Sequence, residues 1–96
     1  MPVMMVHTDP TLTQERYDQA VRRLTGGRVR FESRDDWPVE GLLSHAAGES
    51  PDGFIVVDVW ESEEAFARFG ETLGPILQEL GVAGPPVLFP AHAFVA

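Results

Sequence analysis

The stretch FIVVDVWESEEAF, residues 54–66, decides the fold. Successive side chains of a strand point to opposite faces, so Phe54, Val56, Asp58 and Trp60 share one side and Ile55, Val57 and Val59 the other. Both sides are mainly apolar, the mark of a strand covered on both faces. Ser62 then supplies a helix N-cap, and Glu63 and Glu64 fall in the first turn, where negative charge complements the helix dipole. The stretch therefore reads as a buried strand running straight into a helix. One residue breaks the pattern: Asp58, an acid on the face that also carries Phe54 and Trp60.

Upstream, GLLSHAAG (41–48) and the turn ESPDG predict a hairpin, with Asp52-Gly53 offering the positive φ that a tight reversal needs. The expected register sets His45 opposite Val56 and Leu43 opposite Asp58, leaving His45 diagonal to Asp58 on the same face. A slip of one residue would move His45 to the other face. PVMMVH (2–7) reads as a strand ended by Thr8-Asp9-Pro10. From Thr13 the period changes: Tyr17, Ala20, Val21 and Leu24 are spaced as one face of a helix, with Thr11 or Thr13 as cap and Gly26-Gly27 as stop. Residues 28–40 show neither period and read as a loop, with Val29 and Phe31 as a short edge strand.

Downstream, Phe66, Phe69, Leu73, Leu77 and Leu80 continue a helical stripe. Gly74-Pro75 predicts a kink or a break near residue 74, because proline lacks a donor and clashes one turn back. VLFPAHAFV (87–95) reads as a last strand, its Pro90 suited to an edge or a bulge. The order is β-α-β-β-α-β within a single domain over 1–96: an α+β, ferredoxin-like arrangement, a four-stranded antiparallel sheet with two helices on one face. The other apolar face then lacks a cover. A chain of 96 residues has a thin core, so a homodimer with two sheets face to face is the expected solution.

Composition removes other classes. A net charge of −8 opposes binding to nucleic acid, and the arginines at 22, 23, 28, 30 and 34 read as a solvated helix end and loop. There is no cysteine, hence no disulfide or thiolate chemistry. No run approaches the ~18 apolar residues of a membrane span, and MPVMMVHTDP lacks the marks of a signal peptide, so the expected location is cytoplasmic, away from any membrane. No Walker A, G-x-G-x-x-G, G-x-S-x-G or H-E-x-x-H pattern occurs.

VVDVWESEEAF (56–66), with Trp60, Glu61 and Ser62 at the strand end and Phe66 one turn into the helix, resembles the antibiotic biosynthesis monooxygenase-like family of the dimeric α+β barrel superfamily. LGPIL, GPP and FPAHAF, after the hairpin, resemble small actinobacterial-type members. The resemblance implies a pocket between helices and sheet, lined in part by the strand-end tryptophan. Its scaffold carries cofactor-free monooxygenases acting on aromatic polyketides, polyketide cyclases, lactone isomerases and haem-degrading enzymes, and also members without a known reaction. Haem degradation requires an axial histidine on the second helix, and residues 62–81 contain none. The expectation is cofactor-independent, monooxygenase-like tailoring of a small aromatic or polyketide-like ligand, with a polyketide cyclase or isomerase, or a non-catalytic ligand-binding or structural dimer, as the alternatives.

Within such a pocket, His45 and Asp58 are the candidate catalytic pair, an imidazole base and the carboxylate that orients it. Trp60, Tyr17, Phe54, Phe66 and His92 are the candidate ligand-binding residues. The alternative reading ties Asp58 to an arginine or to backbone donors and makes His45 and Tyr17 ordinary core. His7 and His92 are either additions to the pocket or structural. Three histidines lack H-x-H or H-x₃-H spacing, so no metal site is expected. Trp37, in the irregular loop, is either a lid or a residue packed on a second subunit.

Overall fold

Strand β3 (Gly53–Trp60) lies inside the sheet, with β2 (Leu42–Ser50) on one flank and β1 (Val3–Thr8) on the other, and β4 (Val87–Pro90) pairs with the far side of β1. The computed structural model describes residues 1–95. All three pairings are antiparallel, in the order β2-β3-β1-β4. With α1 (Gln14–Thr25) and α2 (Glu63–Glu79), the order is the ferredoxin-like βαββαβ. On β3, Phe54, Val56 and Trp60 are buried on the helix-facing side, while Ile55 and Val57 on the other side are half-buried.

Local chemistry sets the element ends. The Thr13 hydroxyl accepts from the Arg16 amide and Gly26 turns left-handed at φ 75°, which opens and closes α1. The Ser62 hydroxyl accepts from the Ala65 amide at 3.1 Å and starts α2. Gly41 (φ +112°) lies so close to Ala65 that an added Cβ would approach to 2.6 Å, and its carbonyl accepts from the Glu61 amide. That contact ties the start of β2 to the end of β3.

Four expectations need correction. Of the kink or break expected near residue 74, the break does not occur: helix α2 runs through Pro75 to Glu79. Pro75 is exposed, so water can serve the carbonyl that its missing amide leaves free. The last strand stops at Pro90 instead of reaching 95, and Val29 and Phe31 form no strand. The hairpin register also differs: His45 pairs with Asp58 and Ala47 with Val56, with an irregularity between Leu42 and Ser44. The two-residue loop Pro51-Asp52, followed by Gly53 at φ +127°, sets this alignment. The displacement is two residues, so His45 keeps its predicted face and moves closer to the acid.

The helix-facing side of the sheet holds the core. Val3, Met5, Phe54, Val56 and Trp60 pack with Leu12, Ala65 and Phe69, and Tyr17, Leu24 and Leu73 close around them. Burying such side chains contributes about 1.5–3 kcal/mol each. The opposite side carries Met4, Val6, Ala46, Ile55, Val57, Val59, Val87 and Phe89. Val87 and Phe89 are 60% and 38% exposed there.

Candidate functional site

Asp58 is 2% exposed, and burying a carboxylate without partners is costly. Two groups meet it. The Asp58 Oδ1 lies 2.6 Å from His45 Nδ1, directly across the β2–β3 pair, and Trp60 Nε1 donates to Oδ2 at 3.2 Å. An indole N–H can only donate, so Oδ2 is an acceptor. Across the other bond, the imidazole Nδ1–H donates to the carboxylate Oδ1. In neutral His45 the free lone pair is therefore on Nε2. Tyr17, from α1, places its hydroxyl 2.6 Å from that atom.

Tyr17, His45, Asp58 and Trp60 thus form one continuous chain of hydrogen bonds from helix α1 to the end of β3. Burial pushes the Tyr17 phenol up to about 12, and the nearby carboxylates of Asp58 and Asp18 add to this. The phenol therefore remains a protonated donor over the physiological range. Phe54 packs on the Tyr17 ring at 5.3 Å and 44°, holding it in place.

Tyr17, His45 and Asp58, with His7, border a chamber of about 60 Å³ between helices and sheet, otherwise lined by apolar residues such as Met5, Leu24, Val56, Phe69 and Leu77. Ligand pockets for drug-sized guests begin near roughly 300 Å³, so a larger guest requires part of the wall to move. One part of the wall is aromatic. Phe31 and Trp37 stack on one another at 3.6 Å, and both lie edge-on to His45, at 5.7 and 4.9 Å. They bracket the 3-10 turn Arg34–Asp36. Asp36 pins that turn by accepting from the amides of Glu32 (2.8 Å) and Ser33 (3.2 Å) and from the Arg28 guanidinium (2.6 Å). The two amides, more than the guanidinium, hold its carboxyl below the usual range.

Of the residues picked from sequence, Tyr17, His45 and Asp58 meet at the chamber wall. Trp60 is fully buried behind Asp58, stacked on Phe69 at 5.2 Å and edge-on to Phe66 at 5.7 Å. Its ring, with Phe66, backs the carboxylate and is not among the residues lining the chamber. Phe54 acts through Tyr17. His92 lies exposed beyond β4, outside the chamber wall. His7 does line the chamber, and its Nε2 lies 2.9 Å from the Gly84 carbonyl, a bond that ties it to the loop before β4. Phe31 carried a different expectation. Its one signal was an aromatic set in a polar, aperiodic segment six residues before Trp37. Among the described residues, no group of three or more His, Cys, Asp or Glu could hold a metal ion, and no helix is long and apolar enough to cross a membrane.

No family model matches the sequence, and no curated protein matches it. Two solved structures do. A variant of SnoaB, a cofactor-independent oxygenase from Streptomyces nogalater, superposes with a TM-score of 0.61 at 16% identity, over 98% of this chain and 96% of that one. A proposed monooxygenase from Shewanella loihica superposes with a TM-score of 0.55 at 23% identity, over 97% and 96%. At these identities the likeness establishes the shared ferredoxin-like α+β fold.

Proposed function

We propose that this protein is a small-molecule enzyme of the cofactor-independent monooxygenase type, acting on a neutral aromatic or polyketide-like substrate in the chamber beside His45. The observation that carries this reading is the buried bond between His45 Nδ1 and Asp58 Oδ1 at the edge of an otherwise apolar space. It leaves Nε2 as a base whose conjugate imidazolium the carboxylate stabilises. The substrate would be uncharged, because the Asp58 carboxyl already lies at the wall and no lysine or arginine lines the chamber to offset a further anion. That both structural neighbours are described as oxygenases adds support.

In this reading His45 removes a proton from a carbon or hydroxyl made acidic by adjoining rings. The electron pair stays on the substrate, and the resulting carbanion reacts with O₂. For a ring-flanked CH₂ the sum is one CH₂ and one O₂ giving one C=O and one H₂O, so no other oxidant is needed. The apolar sheet face suits a homodimer in which two copies pack Val57, Val6 and Phe89 against their equivalents, completing the dimeric barrel.

Oxygen uptake with anthrone, compared between the native protein and His45→Gln, tests the reaction. Enzyme-dependent uptake that His45→Gln abolishes is the expected result. Equal uptake by both proteins overturns it. Turnover that proceeds under nitrogen would instead assign the same base to enolisation, as in a cyclase or isomerase.

A further inference from the structure

Neutral His45 has its Nε2 lone pair already occupied, because the Tyr17 hydroxyl lies 2.6 Å away. The two ring planes are only 10° apart, which lets the O–H point along the in-plane lone pair of the imidazole. A substrate entering the chamber cannot reach Nε2 without displacing Tyr17. It can reach the Tyr17 oxygen, which spends its hydrogen on His45 and keeps lone pairs to accept another. Both residues belong to the chamber wall.

We propose that Tyr17 is a catalytic residue: it meets the substrate and relays the abstracted proton to His45. This rests on the base role proposed for His45. The substrate C–H or O–H bond breaks and a new Oη–H bond forms, while the original Oη–H bond breaks and an Nε2–H bond forms. The electron pair of the broken substrate bond stays on the substrate. No net charge accumulates on Tyr17, so its reluctance to ionise is no obstacle, and the positive charge ends on the imidazole beside Asp58. Phe54 packs on the donor Tyr17, and Phe31 and Trp37 lie edge-on to the acceptor His45, which keeps the relay in line without the substrate's help.

The test is hydrogen–deuterium exchange at the anthrone CH₂, followed by NMR in D₂O under nitrogen, where no oxygenation competes. Native protein, Tyr17→Phe and His45→Gln are compared with buffer. The relay predicts exchange faster than buffer with native protein and a loss of roughly 100-fold or more with Tyr17→Phe. Anthrone affinity, read from tryptophan quenching, should change little. The downfield Nδ1–H resonance of His45 should persist in Tyr17→Phe, which separates a lost relay from a disturbed pair. If Tyr17→Phe keeps exchange within about threefold of native while His45→Gln loses it, the relay is wrong and His45 acts directly. If native protein exchanges no faster than buffer, the base reading falls and the relay with it.

Discussion

His45 and Asp58 sit opposite each other across β2 and β3, their Nδ1 and Oδ1 atoms 2.6 Å apart, and Trp60 holds the second carboxylate oxygen at 3.2 Å. A carboxylate held at both oxygens fixes the imidazole tautomer as well as its orientation. Asp58→Asn keeps the shape but presents an N–H to Nδ1 and forces the proton to Nε2. The expected result is a fall in turnover of roughly 10³–10⁴-fold with the fold intact, checked by kinetics alongside circular dichroism. A loss below tenfold would remove Asp58 from the mechanism.

Trp60 supports the pair from behind. Trp60→Phe retains most of the packing against Phe69 but leaves Asp58 Oδ2 without its donor. A buried acceptor left unpaired costs about 1–3 kcal/mol, so the urea midpoint should fall accordingly. An unchanged midpoint would mean that water replaces the indole.

Phe31 and Trp37 close the chamber over His45. Trp37→Ala removes the half of the stack nearer the imidazole. Carbethoxylation of His45, mapped by mass spectrometry, should then proceed severalfold faster, with exposed His92 as the internal reference. Asp36→Ala should act through the same segment by releasing the Glu32 and Ser33 amides, seen as their faster hydrogen exchange. If neither substitution changes accessibility, the loop is not the entrance.

The Tyr17 phenol is raised from its ordinary value near 10 to about 12. A group whose folded value is raised contributes stability that is complete below the unfolded value and is lost as pH rises through the folded one. Stability should therefore fall between about pH 10 and pH 12, and less so in Tyr17→Phe. The phenol is only partly buried, and with solvent screening allowed for, the difference should be about 1 kcal/mol. Urea titrations of both proteins across that window measure it.

Val57 projects from the middle of the sheet on the side away from the helices. In a face-to-face homodimer, Val57→Arg would bury two unpaired like charges and should yield monomers by light scattering. A native protein that is monomeric at micromolar concentration would contradict the assembly.

The sequence by itself determined the order of elements and the faces of their residues. Alternation in 54–60 and the i, i+3, i+4 spacing of Tyr17, Ala20, Val21 and Leu24 are local consequences of strand and helix geometry, so they can be read without coordinates. The same locality put His45 and Asp58 on one face, and that conclusion held because the true register differs by two residues, which preserves the face. Only the tertiary structure decided which atoms meet. The geometry of the turn at Pro51-Asp52 set His45 directly on Asp58, and packing of α1 brought Tyr17 to Nε2 across 28 residues of chain. The aperiodic segment 28–40 offered no pattern to read, since its position depends on Asp36 capping a short turn and on Phe31 stacking on Trp37. Those contacts are set by side-chain chemistry after the sheet has formed, and no periodicity in the chain encodes them.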